Sequence, residues 1–174
     1  MSNHVMLDLE TMSSNSNAAI ASIGACKFSI EKGIEDTFYI NVKLSSCIAS
    51  GLHVDGNTIM WWMQQSDAAR NALNPDQFDL TYALDAFTSW FDGSIYLWGN
   101  GAPFDNVVLS NAYKAVGFEQ PWAFRNDSCY RTMKNMVPAV LLPERKGTHH
   151  NALDDAVYQA EHLIKIFKIG RAHV

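Results

Sequence analysis

The stretch His4-Val5-Met6-Leu7-Asp8-Leu9-Glu10-Thr11 decides how the rest of the chain is read. A short apolar run from His4 to Leu9 that ends in acids predicts a strand. On a strand, side chains two apart share a face. Asp8 and Glu10 therefore point one way, and Leu9 points the other way into packing. Two carboxylates aimed together at the end of an apolar strand repel each other unless a counter-charge arrives. Taken alone, Asp-x-Glu is a common pattern, and it reads as easily as two acids at a solvent-exposed strand end.

The segments that follow build a sheet around this strand. Ala18 to Ile30, with Gly24 inside it, and Phe38 to Lys43, which alternates, predict two further strands. Met12 to Asn17 is a polar connector close enough to Asp8 and Glu10 to touch a substrate. Asp55-Gly56-Asn57-Thr58 forms a turn and cap before a helix through Ile59-Met60-Trp61-Trp62-Met63-Gln64-Gln65. Asp76 to Phe91 places Leu80, Ala83, Leu84, Phe87, Trp90 and Phe91 at helical spacing, and Asp92-Gly93 stops that helix. Ile95 to Trp98 predicts a buried strand, broken by Gly99-Asn100-Gly101.

Pro103 opens a helix that runs to Val116, with Gly117 as its cap. There is room for a short strand at Ala123 to Arg125 and for a helix from Ser128 to Val137. Pro143 to His149 is a polar loop. Ala152 to Phe167 is the last helix, with Leu153, Ala156, Val157, Ala160, Leu163, Ile164 and Phe167 on one face. This order predicts an α/β layered fold with a mixed sheet.

At 174 residues, 48% apolar and 18% charged, the chain has the makings of one domain with a real core. The net charge of -5 argues against a large, sequence-reading nucleic-acid interface, which would need a basic surface. It suits an enzyme that grips a few nucleotides at a chain end, and bound divalent ions would reverse the local field. Cys26, Cys47 and Cys129 are odd in number and lack any CxxC pair, which argues against a disulfide framework or structural zinc and predicts reduced thiols in a cytoplasmic setting. Met1-Ser2-Asn3-His4 carries no basic or apolar leader pattern. No stretch reaches the roughly 18 apolar residues of a membrane span, so no membrane partner is expected.

Two more places hold candidate chemistry. Asp105 follows the strand, the glycine break and the proline, which sets it in the first turn of a helix. An acid there also suits helix capping. Asn100 beside it can donate to phosphate or sugar, and Gly99 and Gly101 allow close backbone approach. His150 and Asp155 flank a helix start, with small Ala152 between them. A histidine at such a junction titrates near neutral pH and can take a proton from attacking water. His149 beside His150 and Asp154 beside Asp155 leave that assignment open on the residues alone. Four acids meeting at one point would require a cation, and hard oxygen ligands favour Mg²⁺ or Mn²⁺.

The segments Asp8-Leu9-Glu10, Asp105 and His150-Asn151-Ala152-Leu153-Asp154-Asp155 resemble, in order, the three motifs of the DEDDh class of 3′→5′ exonucleases. The pattern His-x-Ala-x-x-Asp selects His150 over His149 and Asp155 over Asp154. The wider text, including Trp61-Trp62-Met63-Gln64-Gln65, is similar to small stand-alone exonucleases of phage and bacteria such as exonuclease A of T-even phages. The resemblance implies a ribonuclease H-like fold with a five-stranded mixed sheet flanked by helices. It implies a single exonuclease domain over residues 1–174.

It also implies roles. Asp8 would bridge two divalent ions, Glu10 and Asp155 would complete the ion that activates water, and Asp105 would serve the second. His150 would be the general base. Two such ions stabilise both the attacking and the leaving oxygen of an in-line displacement. The product would be a nucleoside 5′-monophosphate from a single-stranded 3′ end, with DNA favoured on the phage-like resemblance. Thr11 and Met12, just after the first motif, would read the terminal hydroxyl through their backbone, and Asn100 would touch sugar or phosphate. Trp61 and Trp62 would stack on a terminal base, although a helix must turn at least one of them into the core. Homodimers occur in the class. Two other readings stand beside this one: an oligoribonuclease acting on very short RNA, and a module that holds nucleic-acid ends without cutting.

Overall fold

The structure, a computed structural model, describes residues 3–91 and 94–171. The Asp92-Gly93 stop expected after the second helix, and Met1-Ser2 of the expected leaderless start, lie outside the described residues. Strands β1 (His4–Thr11), β2 (Ile20–Ser29) and β3 (Gly33–Val42) form an antiparallel meander. Helices α1 (Leu44–Ala49), α2 (Gly56–Met63) and α3 (Asp67–Ala72) follow, then β4 (Gln77–Phe78) and α4 (Leu80–Phe91). The chain continues through β5 (Tyr96–Gly99), α5 (Asp105–Ala115), β6 (Asp127–Cys129), α6 (Tyr130–Met136) and α7 (Ala152–Arg171). The sheet runs β4-β3-β2-β1-β5-β6, with β5 parallel to β1 and β6 parallel to β5.

The alternation of β1 divides the molecule. Val5, Leu7 and Leu9 point to one face and pack with Ile23, Leu84, Phe87 and Leu109, under α1 to α5. Met6 points to the other face and meets Cys26, Trp98, Ala156, Ala160 and Leu163, under α6 and α7. Each fully buried Leu or Phe contributes about 1.5–3 kcal/mol, so these two cores hold β1 between its neighbours. Small residues on α7 let that helix lie close to the sheet, and Gly24 of β2, which pairs with Asp8 in register, lies beneath its first residues.

The α/β layering with a mixed sheet is as expected, but the sheet has six strands where five were implied. The two-residue β4 pairs parallel to Asn41 and Val42 of β3. It consumes the start of the helix expected from Asp76: Asp76 turns with φ 39° and α4 begins only at Leu80, whose N–H donates to the distant Ser46 Oγ at 2.9 Å. The strand expected at Ala123 to Arg125 is a 3₁₀ turn, Phe124–Asn126, and the strand itself follows at Asp127–Cys129. The helix expected from Pro103 begins at Asp105, because Gly101 (φ 89°) and the Phe104 N–H to Gly101 carbonyl bond form a separate turn first. Helices α1 and α3, six residues each, carry too few residues to show a period. Cys26, Cys47 and Cys129 are free thiols. Among the described residues no helix is long and apolar enough to cross a membrane.

Candidate active site

Asp8 and Glu10 leave β1 on the face of Met6, the face covered by α7. Asp105 comes to them from the other side. It opens α5, is 4% exposed, and its Oδ1 accepts the Leu9 N–H at 3.3 Å. Gly99 makes this approach possible: a β-carbon there would stand 2.5 Å from Asn106 Oδ1 and 3.1 Å from Asp105 Cβ. Asn106 Nδ2 then donates to the Leu97 carbonyl at 3.0 Å and to Asp127 at 2.8 Å, which ties the start of α5 to β5 and β6.

The third segment is built by its own polar residues. Asn151 caps α7, its Oδ1 accepting the N–H groups of Leu153 and Asp154, both at 3.1 Å. Asp154 accepts the Thr148 N–H at 2.7 Å and so holds the preceding loop. Asp155 faces the interior, accepts the His150 N–H at 3.1 Å and pairs with Arg145. The two neighbouring acids thus have different work, one structural and one facing the cleft. His150 adopts φ 62°, a left-handed conformation that costs a non-glycine residue about 1–3 kcal/mol and is retained where the surroundings demand it. Its ring meets Trp61 edge-to-face at 4.9 Å and His149 at 3.9 Å.

These groups share one cleft of 490 Å³, lined among others by Asp8, Glu10, Asn100, Asp105, His150 and Asp155. Ligand atoms of Glu10, His150 and Asp155 lie within 4.8 Å of one another, a group that can hold a metal ion. Burial pushes the Glu10 carboxyl up to about 8, with Asp105 adding to the effect. Burial likewise lifts Asp105 to about 7. Asp8 is raised well above the usual range, by burial first and then by Asp105 and Glu10. Buried acids this close together oppose one another's ionisation and call for a positive charge between them, so the donor set fits a hard divalent ion. His150 is held below its ordinary value by burial, then by His149 and Arg145, which leaves the ring neutral and able to accept a proton.

The family described as the 3′-5′ exoribonuclease Rv2179c-like domain matches residues 3–167. The chain belongs to this family. It is thus a domain of the 3′→5′ exonuclease type, and its fold matches those of several solved structures. E. coli exonuclease I in complex with a dT13 oligonucleotide is 15% identical with a TM-score of 0.66, over 98% of this chain and 42% of that one. The same enzyme with dA16 is 15% identical with a TM-score of 0.61, over 95% and 40%. S. pombe Pop2p, in its Mg²⁺- and Mn²⁺-bound form, is 13% identical with a TM-score of 0.59, over 94% and 82%. The chain therefore spans less than half the length of the exonuclease I chains that it matches. No curated protein sequence matches it. At these identities the solved structures establish the ribonuclease H-like architecture alone.

In this exonuclease domain the remaining sequence candidates fall in different places. Asn100 lines the cleft, with its carbonyl accepting Arg131 Nη2 at 2.7 Å and its Oδ1 buried without a partner. Thr11 and Met12 are buried, and Met12 has both its N–H and its carbonyl committed, to Ala19 and to the Asp55 N–H. That leaves Met12 no main-chain donor for a terminal hydroxyl. Ser13 and Asn15 of the same connector turn onto His53. Trp62 is 5% exposed and donates its Nε1 to the Thr11 carbonyl at 2.9 Å, so it is a packing residue and offers no face for a base. Trp61 is 40% exposed beside His150.

Several cleft residues escaped the sequence reading, among them Arg131, Lys134, Arg145 and Gln159. Gln159 was the readable one, since it follows Asp155 by one helical turn. Arg145 sits in an aperiodic loop, and its meeting with Asp155 is a tertiary event.

Proposed function

We propose that the chain is a divalent-metal-dependent 3′→5′ exonuclease that acts as one domain on single-stranded 3′ ends and releases nucleoside 5′-monophosphates. One observation carries the reading: acids from β1, α5 and α7 converge with His150 on a single 490 Å³ cleft. Asp8, Glu10, Asp105 and Asp155 are the groups to hold the cations, two Mg²⁺ or Mn²⁺ ions by the motif resemblance. Bound there, the cations supply the positive charge that steadies the phosphate and its attacking and leaving oxygens.

The side chains do the rest. His150, neutral and next to Asp155, accepts the proton of the attacking water. Arg131 and Lys134 on α6 line the same cleft and can meet the phosphates upstream of the scissile bond. Asn100 offers a buried amide oxygen to a sugar hydroxyl. Trp61 is the exposed ring available to a terminal base, a contact worth about 1–3 kcal/mol.

The family description names a ribonuclease, so we place RNA first and single-stranded DNA second as substrate. The relationship to small phage and bacterial exonucleases rests on the sequence motifs. A second reading, action on very short oligoribonucleotides, draws support from the small number of cleft cations, Arg131, Lys134 and Arg145, which suits few phosphates.

The test is digestion of 5′-labelled RNA and DNA strands of one sequence with Mg²⁺, Mn²⁺ or EDTA, alongside Asp8→Asn. A metal-dependent ladder from the 3′ end, absent in the variant, supports the proposal and ranks the sugars. Cleavage of dinucleotides alone selects the second reading. Binding of ends with no cleavage under any metal refutes both.

A further inference from the structure

Gln159 is an uncharged residue among charged ones. It lies four residues after Asp155 on α7, which brings both onto the helix face that lines the cleft. It is 5% exposed. Its Nε2 donates to Asp8 Oδ1 at 2.8 Å. Its Oε1 is buried and has no hydrogen-bond partner.

A buried acceptor left unmatched costs about 1–3 kcal/mol, so a half-satisfied amide points to a donor supplied from outside the chain. No side chain of the cleft donates to Oε1. Asp8, Glu10 and Asp105, once ionised, only accept; Arg145 is turned to Asp155 through Nη2, and its buried Nε makes no hydrogen bond with Gln159 or any other group. A hydrated divalent cation does bring donors, because Mg²⁺ keeps several of its waters when carboxylates bind it. The choice of an amide is also informative. A lysine in this position would neutralise Asp8 and oppose the cation, whereas a glutamine orients the carboxylate without adding charge.

We propose that Gln159 is a positioning residue for the divalent cation at Asp8: Nε2 fixes the Asp8 carboxylate, and Oε1 accepts a hydrogen bond from the cation's water shell. This rests on the cation-binding role given to Asp8 above.

The test is calorimetric titration with Mn²⁺, without nucleic acid, of the wild-type chain, Gln159→Met, Gln159→Asn and Asp8→Asn, each with a thermal melt in EDTA. Met keeps the volume and removes both polar groups; Asn keeps the amide and withdraws it by one methylene. The expected result is about 10–100-fold weaker Mn²⁺ binding in both Gln159 variants, with EDTA melting temperatures close to wild type. Unchanged Mn²⁺ affinity in either folded variant overturns the inference. Failure of both to fold overturns it too, since Gln159 is then architectural. Asp8→Asn separates the two ideas: if it binds Mn²⁺ like wild type, the cation site itself is misplaced, whatever Gln159 does.

Discussion

The main chain of Ala152 rests on Gly24: a β-carbon at Gly24 would stand 2.1 Å from the Ala152 carbonyl carbon and 2.2 Å from the Leu153 nitrogen. Gly24 pairs in register with Asp8, so the strand beside the acid is bare where α7 begins. The helix that carries Asp155 and Gln159 can therefore come down beside Asp8. Since the obstacle is backbone, no rotamer change relieves it. Gly24→Ala is expected to cost about 1–3 kcal/mol or more through overpacking. Displacement of the α7 carboxylate is expected to lower turnover by about 10²-fold. A melt and a kcat measurement on the same sample check this. Wild-type kcat with normal stability would show that α7 tolerates the shift.

The raised carboxyls predict how stability follows pH without metal. Glu10 keeps its proton up to about 8 in the folded chain, against 4.5 as its ordinary value. Between those values the unfolded chain has released a proton that the folded chain still holds. Rising pH therefore favours unfolding, at up to about 1.4 kcal/mol per pH unit for this group. Melting temperature in EDTA should fall as pH climbs through that window. Glu10→Gln should make the decline shallower, and Mg²⁺ should restore the wild type most at the alkaline end. Parallel wild-type and variant curves would contradict the assignment.

The adjacent histidines should separate cleanly. His150 is within reach of Glu10 and Asp155, while His149 is more exposed. His150→Ala is expected to lose about 10²–10⁴-fold in kcat with its melting temperature little changed, the usual range for a general base. His149→Ala should stay within a few-fold of wild type. Equal losses in both would reassign the base.

The adjacent tryptophans should separate in the opposite sense. Trp62→Phe deletes the hydrogen bond to the Thr11 carbonyl, so it should lower stability by about 1 kcal/mol or more. Trp61→Ala removes an exposed ring and should raise KM for a strand while leaving the melt nearly unchanged. Steady-state kinetics beside thermal melts distinguish the two. A KM rise in Trp62→Phe alone would invert the roles.

Much of the site was legible because its acids lie on regular elements. The spacing of Asp8 and Glu10 fixed their common face as soon as β1 was recognised, and the motif after His150 marked a helix start that Asn151 does cap. The strand expected at Ile95 to Trp98, found at Tyr96–Gly99, was equally plain as a short apolar run before a glycine break, and the stripe of α7 was plain from its helical period. The edge strand β4 was not legible: Gln77 and Phe78 pair with β3 across the sheet edge, and that register overrides a helical pattern beginning at Asp76.

By itself, then, the sequence singled out the candidate residues and determined which faces of β1 and α7 they occupy, because periodicity is a local property of the backbone. Only the tertiary structure decided what they meet. The descent of α7 onto Gly24, the pairing of Arg145 with Asp155, the hold of Gln159 on Asp8 and the burial of Trp62 but not Trp61 all join residues far apart in the chain. Such contacts depend on how elements pack, and no spacing within one element encodes them.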